Sequence, residues 1–372
     1  MIDKVLVVGG GIGGMSAALS LVRNGATVTL IDNDPNWRVY GAGITIMGLS
    51  LRAFEALGVI DEIRQRGFIH TGMRPVRFDG ERIPGPPHAP EGAPLIMCGG
   101  GIMRPVLHDI LSKRVRAAGI EVRLGVTVET LEQDDDGVDV VLTDGAAERY
   151  DLVVGADGIF SKMRTMIFPD APKPQLTGQG CWRIIADRPP EVDRAEIYFG
   201  GPLKVGMSPI SQEKMYVYAL EHVPGNPWFA PETHLEHMAR LLAPFGGNVK
   251  TVREGLGEDS HIVYRPLEWL LVPDPWYKGR VVLIGDAVHA TTPHMASGAG
   301  IAVEDGLVLA EELARTDDVA QALRAFMDRR FERAKLVVET SVKQGNLEMA
   351  GTERQQTTNI LAVATKALAA PY

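Results

Sequence analysis

The chain has 372 residues, 45% of them hydrophobic and 23% charged, with a formal net charge of −9. Those values exclude a disordered, collagen-like or coiled-coil chain, and the acidic balance argues against a nucleic-acid binder. The length fits two domains or one composite unit, and the 41 glycines, about one residue in nine, exceed the usual ~7%.

Lys4–Val8 is a continuous apolar run, as expected of a parallel strand buried on both faces. Gly9–Gly14 reads as a turn, Met15–Asn24 as a helix stopped by Gly25, and Ala26–Asp32 as a second strand. Leu49–Leu57 reads as a helix ended by Gly58. Residues 71–100 read as turns with short strands. In Met103–Ala118, apolar residues at steps of three and four predict an amphipathic helix. Glu121–Gln133 and Val138–Thr143 read as strands joined by the Asp134–Gly137 turn, and Asp151–Gly155 as another buried strand. Cys181–Ala186, Ala195–Phe199, Leu203–Met207 and Met215–Glu221 alternate like an antiparallel sheet covered on one face, with a helix over His234–Leu242. Val281–Gly285 returns to the buried-strand pattern, a helix runs through Leu313, and the remainder is mostly helical.

Cys98 and Cys181 are far apart and in no CxxC spacing, which fits a reduced, cytoplasmic setting. No apolar stretch reaches the ~18 residues of a transmembrane helix, so no membrane role is expected.

Gly9, Gly11 and Gly14 form G-x-G-x-x-G between a strand and a helix, with Asp32 closing the next strand. The first glycine permits the tight turn, the second lets backbone approach a pyrophosphate, and the third allows close helix–strand packing. The helix N-terminus favours phosphate, and Asp32 can accept ribose hydroxyls. This motif does not separate NAD from FAD. A second motif runs Asp151-Leu152-Val153-Val154-Gly155-Ala156-Asp157-Gly158, on to Ser161 and Arg164. A third runs Val281-Val282-Leu283-Ile284-Gly285-Asp286-Ala287-Val288-His289, through Pro293, Gly298 and Gly300 to Glu304-Asp305. Alone, Asp157-Gly158 would be an ordinary turn.

In this order and separation the three motifs resemble the flavoprotein aromatic hydroxylases, the class A FAD-dependent monooxygenases with a p-hydroxybenzoate hydroxylase-like fold. The resemblance covers nearly the whole chain. It implies an α/β fold: a Rossmann-like FAD-binding domain with a parallel sheet, interleaved with an antiparallel-sheet substrate domain and C-terminal helices. The implied boundaries are 1–70, 101–175 and 270–320 for FAD binding, 71–100 and 176–269 for substrate, and 321–372 for the helical segment.

The resemblance places Gly9, Gly11, Ile12, Gly13, Gly14, Asp32, Arg38, Gly43, Arg104, Val126, Asp157, Gly285, Asp286, Pro293, Gly298, Ala299, Gly300 and Ile301 at the cofactor. Asp286 would bind a ribityl hydroxyl, Arg38 and Arg104 would lie near ribose and phosphates, and the helix after Pro293–Gly300 would aim its N-terminus at the flavin. Met47, Tyr216, Tyr218 and Pro293 would line the substrate pocket, and Tyr216, Pro293 and His294 would be nearest the chemistry. Alternation puts Tyr216, Tyr218, Leu220 and His222 on one strand face. Trp182 and Arg183 point to opposite faces, so at most one lines the pocket; Arg183 there would suggest an anionic substrate, but a surface ion pair is the expected reading. His289 reads as structural or cofactor-adjacent, and His294 as a surface-loop residue or a proton-transfer group. No third ligand accompanies these histidines, so no metal is expected.

The implied reaction uses NADH or NADPH to reduce FAD, then O2, through a flavin C4a-hydroperoxide, to oxygenate an aromatic or other electron-rich small molecule in a monomer or homodimer. Epoxidation, Baeyer–Villiger insertion and oxidative decarboxylation remain alternatives, as does a flavin-free NAD-dependent dehydrogenase or a flavin-binding regulator. The chain departs from the family in having Ala296-Ser297-Gly298 where G-Q-G is usual, and Met47 where a polar residue is frequent. It has no W-x-W-x-I-P halogenase motif.

Overall fold

The computed structural model describes residues 2–39, 41–85, 90, 92–351 and 354–372. Residues 86–89 and 91, within the expected turn-rich stretch 71–100, and residues 352–353, within the expected helical segment, lie outside the described residues.

A six-stranded sheet runs in the order Tyr277–Lys278, Val281–Leu283, Leu152–Gly155, Lys4–Val8, Thr27–Asp32, Glu121–Leu124. All but the short Tyr277–Lys278 strand are parallel. The apolar runs of the four strands inside Glu121–Leu124 and Tyr277–Lys278 are buried, as a sheet covered on both faces requires. Three motif loops therefore leave adjacent strands at one carboxyl-terminal edge, where doubly wound sheets bind ligands. The backbone stitches them together: the Ala156 N–H donates to Val8 O (2.7 Å) and the Ile284 N–H to Gly155 O (2.9 Å).

Helices Ile12–Arg23 and Gly298–Arg315 pack closely against each other. The contact is backbone-close: a methyl on Gly306 would sit 2.6 Å from the Ala17 nitrogen. The 31-residue helix Val319–Met349 and the helix Arg354–Leu368 follow.

A second six-stranded sheet has the order Val263–Trp269, Gln175–Asp187, Lys214–His222, Lys204–Pro209, Ala195–Phe199, Met73–Arg77. It is antiparallel except for its last pair. One face (Trp182, Ile184, Met215, Val217, Ala219) is covered by Met238, Leu241, Leu242, Val249 and Val252 of helices His234–Leu242 and Gly247–Glu254. The opposite face, with Tyr216, Tyr218 and Leu220, turns to the rest of the molecule.

Two expectations need correction. Glu121–Gln133 is not one strand: Glu121–Leu124 belongs to the parallel sheet, whereas Val128–Gln133 pairs with Val138–Leu142. Gly125, at φ +77°, turns the chain between them. The end of the 71–100 stretch also has other company, since Cys98–Met103 pairs with Gly43–Met47 and Phe68–Thr71 in a separate three-stranded sheet.

Candidate functional site: a cleft at the edge of the parallel sheet

The glycine loop is shaped around a space. Side chains on Gly9, Gly10 or Gly14 would overlap Ala156, Trp37 or the Gly9 carbonyl, but a methyl on Gly11 would meet nothing within 4 Å. Gly9 also needs its positive φ of +109°. Helix Ile12–Arg23 begins at Gly11 without a side-chain cap, so its first N–H groups face open space, as anion binding requires. Helix Gly298–Arg315 likewise begins uncapped, after Ser297. Ile12 and Gly13 are half-buried in the first turn, with Gly13 facing Ala302.

Asp32 braces this loop. One carboxylate oxygen accepts the Gly10 N–H (2.7 Å), the other the Asp34 N–H (2.8 Å). Its carbonyl accepts the N–H of buried Val126 (3.1 Å). Sequence reasoning missed Trp37, whose indole N–H donates to Gly10 O (2.9 Å). Its lone signal was an aromatic shortly after the motif's acidic residue.

Arg104 and Asp286 are solvent-accessible. Yet burial pulls the Arg104 pKa down, with Arg183 adding repulsion, and pushes the Asp286 carboxyl up against the pull of His289 and Arg104. Side chains that are accessible and still desolvated mark a deep cleft. Arg104 lies over Gly41, where a methyl would be 3.1 Å from its Cδ, and Tyr216 lies over Gly43, so this short segment brings Arg104 and Tyr216 together, with the Asp286 charge felt at Arg104 as well. Arg104 and Arg183 have no carboxylate partner among the described residues.

The second sheet supplies the opposite wall. Arg183 Nε donates to the Tyr216 hydroxyl oxygen at 3.1 Å, so the expected surface ion pair is corrected: Arg183 lies on the cleft face. The reason is that Trp182, the opposite-facing neighbour, is taken by the helix-covered side, stacked on His237. Tyr216 is buried against Gly43, whose Cβ position would be 2.7 Å from Tyr216 Cβ. Burial pushes the Tyr216 phenol up to about 12, and burial raises Tyr218 still further. Both phenols therefore stay protonated at neutral pH. Met47 lies at the end of its strand, 40% exposed.

The third motif is built on a buried ionic network. Gly285, at φ +61°, donates its N–H to Asp305 (2.9 Å), and His289 Nε2 lies 2.6 Å from the same oxygen. Arg330, fully buried, donates to Asp305, Glu304 and Ile301 O. Gly300 fits only as glycine, since a methyl would be 2.5 Å from Ser50 Oγ, and Gly298 and Ala299 are half-buried in the same turn. Ala296 takes the left-handed conformation, φ +48°. Pro293 is exposed, while His294 is buried, which corrects the surface-loop expectation. His289 and His294 turn to different carboxylates, Asp305 and Glu348.

Two of the expected cofactor residues also have local partners, and Asp157 stays beside the glycine loop, its Cα 3.0 Å from where a methyl on Gly9 would sit. Asp157 accepts the Ser161 hydroxyl (2.5 Å) and the N–H groups of Lys162 and Met163, so its carboxylate caps the helix Lys162–Ile167. Arg38 is exposed and paired with Asp34 (3.0 Å), four residues before it.

The chain belongs to the family whose model is described as FAD binding domain, matched over residues 3–341. These proteins are the FAD-dependent monooxygenases of the class A flavin hydroxylase type. The chain is 31% identical to the Aurachin C monooxygenase/isomerase of Stigmatella aurantiaca, over 92% of this chain and 89% of that one. It is also 31% identical to the 2-heptyl-3-hydroxy-4(1H)-quinolone synthase of Pseudomonas aeruginosa, over 82% and 79%. The fold matches Klebsiella pneumoniae HpxO, solved with FAD and uric acid, with a TM-score of 0.81 at 24% identity, covering 98% of this chain and 93% of that one. The chain is therefore an FAD-dependent monooxygenase, which uses NAD(P)H and O2 to insert one oxygen atom into an aromatic or other electron-rich small molecule.

Proposed function

We propose that the substrate is a ring carrying a hydroxyl or enolisable oxo group, held between the flavin and the Arg183–Tyr216 face. The observation that carries this reading is the Arg183–Tyr216 hydrogen bond in the cleft, with no carboxylate on Arg183 among the described residues. The guanidinium donates to the phenol oxygen, so the Tyr216 O–H, which also lies within reach of Cys181, points away from Arg183 and would donate to a substrate oxygen. A nearby fixed cation favours the ionised form of that oxygen. An ionised oxygen raises electron density on the ring carbon that is to be oxygenated. The quinolone named for the Pseudomonas relative is a ring of this kind. A plain alkene, as in epoxidation, would offer the Arg183–Tyr216 pair no oxygen to bond, which sites of this kind disfavour.

The cleft fits FAD on its own geometry: the open space at Gly11, two uncapped helix N-termini, the cation of Arg104 and the accessible carboxylate of Asp286. Gly11 and the first turn of Ile12–Arg23 would take the pyrophosphate, with Arg104 beside it. Asp32 would accept ribose hydroxyls on its remaining lone pairs, and Asp286 a ribityl hydroxyl. The start of Gly298–Arg315 would face the flavin ring. Bound there, FAD supplies hydride acceptance and oxygen activation. The chain's own groups hold it, close off water and fix the substrate ring.

We assign residues 1–70, 101–175 and 270–320 to FAD binding, 71–100 and 176–269 to substrate, and 321–372 to support. Met73–Arg77 in the second sheet favours this division, and Cys98–Met103 is its exception. We assign the protein as a monomer or homodimer. Two free cysteines favour a cytoplasmic setting. Among the described residues, no helix is long and apolar enough to cross a membrane.

Tyr216→Phe should keep FAD bound and lower kcat/KM for a hydroxylated ring by about 10- to 100-fold, the worth of one hydrogen bond to a charged oxygen. The same ring with its hydroxyl methylated should show almost no difference between the two enzymes. Unchanged kcat/KM and product yield on the hydroxylated ring would reduce Tyr216 to packing.

A further inference from the structure

The helix Val319–Met349 ends beneath the Pro293–Met295 turn, and a second polar group is buried there. The His294 side chain is closed off from solvent. Its Nδ1 lies 2.9 Å from Thr292 Oγ1, and its Nε2 3.4 Å from Glu348 Oε2. The other Glu348 oxygen accepts from Lys204 Nζ and Gln344 Nε2, each at 2.7 Å. Gly345 borders the group: a methyl there would stand 2.9 Å from His294 Cε1 and 3.0 Å from Gln179 Oε1. Around it, His294 Nε2, Glu348 Oε2, Gln179 Oε1 and Gln344 Oε1 are buried without a hydrogen-bond partner. Native interiors rarely leave polar atoms in that state unless water bridges them.

The group has two exits. Toward the cleft stands Tyr218: its hydroxyl lies over Gly206, two residues along the strand from Lys204, where a methyl would overlap it, and its phenol feels both Glu348 and Tyr216. The Tyr216 and Tyr218 rings are 5.7 Å apart. Toward solvent stand Lys204 and Glu348, whose side chains keep 16% and 15% exposure against 0% for His294.

We propose that this buried group is the enzyme's proton entry: His294, positioned by Glu348, passes a proton through bridging water and the Tyr218 phenol to the cleft. The demand for it follows from the reaction. NAD(P)H, O2, one proton and a substrate C–H become NAD(P)⁺, water and a C–OH, so each turnover takes up one proton. His294 gives its Nε2 proton inward and regains one from solvent past Glu348. This role rests on the monooxygenase reaction and not on the ring substrate assigned above.

The charged groups facing His294 are Glu348, from the long helix, and Lys204, from the second sheet; Gln179, Gln344 and Thr292 are neutral. Burial lowers the imidazole pKa most, Glu348 raises it and Lys204 lowers it. Glu348→Gln should therefore move the His294 titration to lower pH, and Lys204→Met to higher pH, each by about one unit. The titration is read by NMR on histidine-labelled, FAD-loaded enzyme, with His294→Asn for assignment; no substrate is needed. The alkaline limb of NAD(P)H-driven oxygen uptake should move the same way, because protonated His294 is lost as pH rises through its pKa. Glu348→Asp keeps the charge and should restore most of the wild-type position. Opposite displacements in Glu348→Gln and Lys204→Met support the proposal. Limbs that stay in place, or that move in one direction in both variants, overturn it.

Discussion

Asp286→Ala should lower FAD affinity by about 10- to 100-fold while leaving the apoprotein as stable as wild type or slightly more so. Both halves follow from its setting. The carboxylate stands accessible in a deep cleft, where burial pushes its pKa up. No hydrogen bond to its side chain occurs among the described residues. A desolvated carboxylate without donors is costly, and ligand hydroxyls remove that cost. The N–H of the preceding Gly285 is tied to Asp305 independently, so the loop keeps its shape without the Asp286 side chain. Asp286→Asn, which keeps hydrogen bonding and loses charge, should fall between. Fluorescence titration with FAD and melting of the apoprotein separate the two effects. Equal FAD affinity in wild type and Asp286→Ala would remove Asp286 from the site.

Arg330→Met should destabilise the protein by about 3–5 kcal/mol, the usual cost of removing one partner from a buried ion network. Arg330 is fully buried, and its guanidinium donates to Asp305 (2.9 Å), Glu304 (2.9 Å) and Ile301 O (3.1 Å). Removing it takes a partner from two buried carboxylates, of which Glu304 keeps Arg333 and Arg52. Asp305 has the larger consequence, because it holds both the Gly285 N–H and His289. Burial alone would raise the Asp305 pKa, but His289 and Arg330 outweigh it and hold the carboxyl below its usual value. The stability Asp305 contributes is therefore present at neutral pH and lost as pH falls through its folded pKa. Without Arg330 that loss should begin at higher pH. Urea unfolding of the apoprotein at pH 7 and at pH 5 measures both effects. A change below about 1 kcal/mol at pH 7 would mean that the network is not what holds the third motif.

The parts of the fold that depend on local pattern were legible in the sequence. Buried strands such as Lys4–Val8, the helix His234–Leu242 and the strand Ala195–Phe199 have the predicted bounds. The alternation on Lys214–His222 correctly placed Tyr216, Tyr218 and Leu220 together. What failed depended on distant partners or on competition for a side chain. Strand parity separated Trp182 from Arg183, but which face meets the cleft is decided by helices that follow some 50 residues later. His294 looked like a loop residue because Glu348, which buries it, is on the last turn of a helix 54 positions on. Asp157 and Arg38 carry a family pattern, and the local partner each side chain also has, a helix N-terminus and Asp34, is a contact that no motif spacing announces. Arg330 carries no local signal at all: it reads as one basic residue among several on an amphipathic helix, and 25 residues separate it from Asp305.

The central claim is that this cleft brings FAD and an oxygen-bearing ring together so that one atom of O2 enters the ring. Incubation of the FAD-loaded enzyme with NAD(P)H and a panel of phenols and hydroxyquinolones under ¹⁸O2, followed by mass spectrometry, tests it most directly. The expected result is a product carrying one ¹⁸O atom, formed in proportion to NAD(P)H consumed, with Tyr216→Phe making less of it at equal FAD content. Protein that takes up no FAD, or a product whose new oxygen comes from water, would contradict it.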